Sequence, residues 1–135
     1  MERALSRTRQ YLSFPWRLLV ADDDLASAFS RILTDAGAGS LSVHTDGHSA
    51  LVATRAGSFD LLLLNYRMRP MNGAIALRRM REEGVSAPAI FISAWSRDSV
   101  PERIDDLGID AWITKPFLNG HLIDTIEATI LSSRR

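Results

Sequence analysis

The chain reads as an α/β protein: a doubly wound sheet of five parallel strands with helices packed against it. Two observations predict this class. Arg17 to Ala21, Leu61 to Leu64, Ala89 to Ile92 and Ala111 to Ile113 are short runs, almost wholly apolar, of the kind found in strands buried on both faces of a parallel sheet. Between them lie segments with helical spacing, and parallel neighbours need crossover connections that helices supply. The 135 residues suit one domain, and 46% hydrophobic residues are enough for its core.

The elements follow in order. Residues 1 to 15 carry Arg3, Arg7 and Arg9 against Glu2 without sustained periodicity, and are expected to form a flexible or partly helical extension, with an arginine-rich targeting peptide as the alternative. The domain is placed at residues 16 to 131, followed by a short tail at 132 to 135. Asp24, in the run Asp22-Asp23-Asp24 after the first strand, is expected to cap a helix whose stripe is Leu25, Phe29, Ile32, Leu33 and Ala36, ended by Gly37 and Gly39. Leu41 and Val43 alternate with Ser42 and His44 as in a second strand, and Gly47 to Arg55 makes a modest helix. The four leucines 61 to 64 form the third strand and deliver Asn65 to its carboxyl end, and Arg69-Pro70 to Asn72-Gly73 supplies turn chemistry. Ala74 to Glu83 is a surface helix stopped at Gly84, and Ala89 to Ile92 leads into Ser93. Ser99 and Glu102 are spaced as a capping box around Pro101, which predicts a fourth helix through Leu107, stopped by Gly108. The fifth strand runs into Lys115-Pro116-Phe117, and the last helix starts near Asn119 with Leu122, Ile123, Ile126 and Ile130 on one face.

Composition excludes several function classes. Sixteen basic and sixteen acidic residues cancel, so no global field drives the chain onto nucleic acid or a membrane surface. With no cysteine there is no thiolate chemistry and no cysteine-based zinc site, which fits a reducing compartment such as the cytoplasm. No apolar run approaches the length of a membrane helix. His44, His48 and His121 lack ligand partners at metal spacing and are expected at the surface. The glycines are dispersed, so there is no Gly-rich phosphate loop, and Ser93 has no histidine partner for hydrolysis.

What remains is a constellation at strand ends. Asp22 and Asp23 follow the first strand, Asn65 the third, Ser93 the fourth and Lys115, the chain's only lysine, the fifth. Parallel strands put all these ends on one edge, where ligands bind in open α/β sheets. Carboxylate and carbonyl oxygens suit a hard cation such as Mg²⁺, and a hydroxyl with an ammonium suits phosphoryl oxygens.

On these motifs the chain resembles the receiver domain of two-component response regulators. The resemblance covers about residues 16 to 131 and rests on Leu19 to Asp24, Asp60 to Gly73, Ile90 to Ala94 and Ala111 to Phe117. It implies a flavodoxin-like (βα)5 fold with strand order 2-1-3-4-5, and a signalling domain that is not an enzyme. It also implies Mg²⁺ held by Asp22, Asp23, the side chain at Asn65 and the backbone carbonyl of Arg67, with Ser93 and Lys115 on the phosphoryl group. Trp112 takes the position of the aromatic that changes rotamer on activation. The implied partners are a histidine kinase, a phosphotransfer protein or a downstream effector. Docking is expected on the face formed by the predicted helix from Ser99, the Trp112 strand and the last helix. Direct contact with nucleic acid or a membrane is not expected.

The chain departs from the family where the chemistry occurs, because Asn65 replaces the acceptor aspartate. A carboxylate oxygen can attack phosphorus, whereas a neutral amide is a poor nucleophile. Phosphoryl transfer by the usual route is therefore expected to be absent. A unit charge at 4 Å is worth about 4 kcal/mol at an effective dielectric of 20, and a divalent ion doubles it, so Mg²⁺ binding is expected to weaken without vanishing. Arg69 ahead of a shifted Pro70, and Asn72 where the family usually has Asp, alter the loop over the site. Two alternatives stay open. One is a phosphorylatable receiver, with Asn65 an engineered substitution or with Asp22, Asp23 or a deamidated Asn65 as acceptor. The other is a structural interaction domain with a vestigial pocket.

Overall fold

The computed structural model describes residues 16–134; the extension read at residues 1 to 15 lies outside the described residues, as does residue 135. Five strands form one sheet: β1 (Arg17–Ala21), β2 (Ser40–His44), β3 (Leu61–Asn65), β4 (Ala89–Ser93) and β5 (Ile109–Thr114). All are parallel, in the order β2-β1-β3-β4-β5. The helices are α1 (Ala26–Asp35), α2 (Gly47–Ala56), α3 (Gly73–Glu82) and α4 (Asn119–Ser133). This agrees with the doubly wound class and strand order expected from the sequence.

The period-2 geometry of the strands divides one apolar run between two cores. Leu61 and Leu63 of β3 pack with Leu18, Val20, Phe29 and Leu33 and with Leu122, Ile126 and Ile130 of α4. Leu62 and Leu64 point the other way, onto Leu19, Ala50, Leu51, Leu77 and Phe91. All four leucines are at most 1% exposed, and each contributes about 1.5–3 kcal/mol of burial. A strand buried this fully on both faces has a fixed register, which fixes where Asn65 emerges.

Three expectations are corrected. The fourth crossover has no α-helix: a 3₁₀ turn at Arg97–Ser99 is followed by an irregular segment through Gly108. The capping box does not form, because Ser99 Oγ pairs with Ser96 Oγ at 3.0 Å and the Glu102 carboxylate turns away to Tyr66 and Asn72. Each reciprocal contact that would have nucleated the helix is thus used elsewhere. The first helix is not capped by Asp24; Asp22 Oδ1 instead accepts the backbone N–H groups of Asp24 at 2.8 Å and Leu25 at 2.9 Å. Finally, α4 continues through Ser133, into the stretch read as a tail, and Arg134 pairs with Asp60 and lies over the Trp16 ring.

Candidate functional site

The carboxyl ends of β1, β3, β4 and β5 bring the predicted residues to one edge. Asp22 directly follows β1 and is 1% exposed. Its Oδ1 accepts the N–H groups of Asp24 and Leu25 in the turn leading into α1, and its Oδ2, which has no hydrogen bond, lies 2.9 Å from Lys115 Nζ. Asp22 therefore fixes the turn through one oxygen and an ion pair through the other. Lys115 is positioned by its own backbone N–H, which donates to the Ser93 carbonyl at 2.8 Å. The Ser93 hydroxyl is buried and accepts from the Trp95 backbone N–H at 2.9 Å.

Asn65 ends β3 and is 6% exposed. Its Nδ2 donates to the Arg67 carbonyl at 2.7 Å and to Asp23 Oδ1 at 3.3 Å. Both partners are acceptors only, which fixes the amide with nitrogen toward them and oxygen away. The backbone behind Asn65 is crowded: Gly73 N donates to the Tyr66 carbonyl at 2.8 Å, and a Cβ at Gly73 would fall 2.4 Å from the Asn65 carbonyl oxygen. Glycine is required there for the loop to fold back onto β3.

Tested against Mg²⁺, this arrangement does not fit. A hard cation takes oxygen ligands. Here the amide N–H groups face the Arg67 and Asp23 oxygens and Asp22 Oδ1 already accepts two backbone N–H groups, which leaves Asp22 Oδ2, ion-paired with Lys115 but without a hydrogen bond, as a buried oxygen still open to a ligand. Among the described residues no group of three or more His, Cys, Asp or Glu side chains is arranged to hold a metal ion. His48 and His121 are exposed; His44 is half-buried, its Nε2 2.7 Å from Ser42 Oγ, and burial lowers its pKa.

Beside the amide lies an open cleft of about 440 Å³, lined by Asp23, Arg67, Arg69 and Trp95 among others. The Arg67 guanidinium sits over the Trp95 ring at 4.7 Å, and Tyr66 packs against the same indole at 5.8 Å. Trp112 Nε1 donates to the Trp95 carbonyl at 3.0 Å while its ring lies 5.5 Å from Phe91. Trp112 is thus joined to the pocket through Trp95 and Arg67.

Residue-by-residue reading of the sequence missed Glu102. Its carboxylate accepts from Tyr66 Oη and, at 2.9 Å, from Asn72 Nδ2, while Asn72 Oδ1 accepts from Ile75 N and caps α3. The Tyr66 hydrogen bond, with that from Asn72, holds the Glu102 carboxyl below its usual range. Burial, reinforced by Glu102, pushes the Tyr66 phenol up to about 12. The available signal was Asn72 itself: an aspartate there could cap the helix but could not donate to Glu102.

Comparison with known proteins points one way. The family model described as the response regulator receiver domain matches residues 18–127. The chain is 37% identical over 113 residues to the transcriptional regulatory protein DltR of Streptococcus agalactiae, an alignment covering 82% of this chain and 50% of that protein. It is 31% identical to the transcriptional regulatory protein CiaR of Streptococcus pneumoniae over 87% of this chain and 52% of that one. The chain therefore spans about half the length of these curated relatives. Among solved structures, a CheY-like receiver domain protein from Methanospirillum hungatei superposes with TM-score 0.78 at 19% identity, covering 90% of this chain and 98% of that one. A chain of the CheX–CheY–BeF3–Mg²⁺ complex from Borrelia burgdorferi gives 0.76 at 22% identity, covering 85% of this chain and 89% of that one.

Proposed function

We propose that this chain, which belongs to the response regulator receiver domain family, signals through protein binding and is not phosphorylated at the family's usual position. One observation carries this reading: the side chain at the end of β3 is a neutral amide whose nitrogen is engaged with Asp23 and Arg67. Its neutral carbonyl oxygen is a far poorer nucleophile toward phosphorus than a carboxylate. Asp22 is a poor substitute acceptor, since it is buried and paired with Lys115. In this reading Asp22, Asp23, Asn65, the Arg67 carbonyl, Ser93 and Lys115 mark the family's pocket, and Trp112 reports its state. Mg²⁺ is at most a weak ligand, because it must first displace the amide.

Without phosphorylation, a partner selects one conformation by binding it better than the other. We assign that partner to the signalling proteins: a histidine kinase, a phosphotransfer protein or a downstream effector. The docking face is the irregular segment after Ser99, the Trp112 strand and α4. The balanced charge supports a protein partner over direct contact with nucleic acid, and a cysteine-free chain suits the cytoplasm. Among the described residues no helix is long and apolar enough to cross a membrane.

The test is incubation of the purified chain with a small phosphodonor and Mg²⁺, followed by intact mass measurement. An unchanged mass is expected; gain of one phosphoryl group, at Asp22, Asp23 or elsewhere, contradicts the reading.

A further inference from the structure

We infer that the Asn65 amide group stands in for the divalent cation, so that the pocket is held together by the chain's own hydrogen bonds in a metal-independent form. This rests on Asn65 being the residue the protein uses and deepens the reading above. The argument is one of matching donors to acceptors. With an aspartate at this position, its carboxylate, Asp23 Oδ1 and the Arg67 carbonyl would face one another as acceptors only, and a cation would be needed between them. The amide changes the count. Nδ2 carries two N–H groups, and two acceptors lie within reach: Arg67 O at 2.7 Å and Asp23 Oδ1 at 3.3 Å.

The second half of the pocket is balanced in charge: Asp22 Oδ1 accepts two N–H groups, and Oδ2, which has no hydrogen bond, is neutralised by the Lys115 ammonium at 2.9 Å. Asn65 and Asp22 are 6% and 1% exposed, so breaking these bonds would leave the buried amide N–H groups unsatisfied, even though Asp23 and Arg67 themselves are exposed to water. A divalent ion would have to break both amide bonds and turn Oδ1 inward, for a ligand that brings no charge. The same bonds fix the loop. Arg67 accepts from Asn65 through its carbonyl, stacks on Trp95 through its guanidinium, and Trp95 accepts from Trp112. An order that a bound ion would otherwise impose from β3 to Trp112 is therefore built into the side chain at position 65.

Thermal melts of the chain and of Asn65→Asp, in EDTA and in millimolar Mg²⁺, test this. The wild-type melting temperature is expected to be the same in both. Asn65→Asp is expected to melt about 5 °C lower or more in EDTA and to recover in Mg²⁺, since the ion then stabilises only the folded variant. A saturable Mg²⁺-dependent rise in the wild-type melt overturns the inference, as does an Asn65→Asp variant that is equally stable in EDTA. Should that variant fail to fold, the side-chain amide resonances of Asn65 in the unmodified chain decide. Slow exchange and no response to Mg²⁺ or Mn²⁺ support the inference; paramagnetic broadening by Mn²⁺ that saturates sinks it. Phosphorylation of the wild-type chain would refute the proposed function, whereas Mg²⁺ binding without phosphorylation would refute this inference alone.

Discussion

Gly73 shows how closely single residues are fitted around the site. A Cβ there would meet the Asn65 carbonyl oxygen at 2.4 Å, and one at Gly47 would meet the Met71 carbonyl at 2.5 Å. Gly73→Ala is therefore predicted to destabilise the fold by about 1–3 kcal/mol, measured by urea unfolding, because backbone atoms cannot yield as a flexible side chain would. Glu102 gives a second prediction, with a definite sign. Its folded pKa lies below its usual 4.5, so its contribution is present above that value and is lost as pH falls through the lower folded value. Glu102→Gln should consequently show a shallower loss of stability under acid than the wild type. Tyr66 runs opposite: its pKa rises from 10.0 to about 12, so its contribution is present below 10 and lost as pH rises through about 12. The places of Asn65, Ser93 and Lys115 at one sheet edge were legible because Asn65 and Ser93 directly follow buried apolar runs and Lys115 follows the fifth strand after Thr114. Glu102 was not, since Tyr66 is 36 residues away and only the tertiary fold joins them.

Among the elements, the segment from Val100 to Gly108 differs most from its sequence pattern. Ile104 and Leu107 bury their side chains as a helix would, yet polar contacts from α3 hold the backbone. Arg78 reaches the Arg103 carbonyl and Asp106, while Arg81 donates to the carbonyls of Val85, Ala87, Leu107 and Gly108. Burial lowers the Arg81 pKa, the cost of using a guanidinium as an internal tie. Arg81→Leu is predicted to destabilise by on the order of 1–3 kcal/mol, since it strands carbonyls that have no other side-chain donor of this reach. Amides from Arg103 to Asp106 should exchange with solvent faster than those of α2 or α3, because they lack a helical ladder; equal protection by hydrogen-exchange mass spectrometry would refute this. The sequence pattern suggested a helix here because local capping chemistry was present. It lost to the competing acceptor role of Glu102, which no local window contains. Arg81 likewise passed for a surface residue of α3, as period alone does not separate an exposed arginine from one turned under a neighbouring loop.

At the scale of the whole molecule, one sheet holds the pocket positions on the adjacent strands β3, β4 and β5. β3 sets Asn65 and β4 sets Ser93 and the Trp95 loop, with the register of these two strands fixed by burial on both faces, while the partly exposed edge strand β5 sets Trp112 and leads to Lys115. The strands themselves were legible from their apolar runs, whereas their order 2-1-3-4-5 came from the resemblance to receiver domains, since run spacing alone allows other orders. The state of the pocket was not legible, since it depends on which atoms of Asn65 and Lys115 face which neighbours. The proposed loss of the phosphoacceptor through one amide is decided by phosphodonor incubation of the chain beside its Asn65→Asp variant, with Mg²⁺ present and the modified residue mapped by mass spectrometry. One phosphoryl group is expected on position 65 of the variant and none on the unmodified chain; labelling of the unmodified chain, or of neither, overturns the proposal.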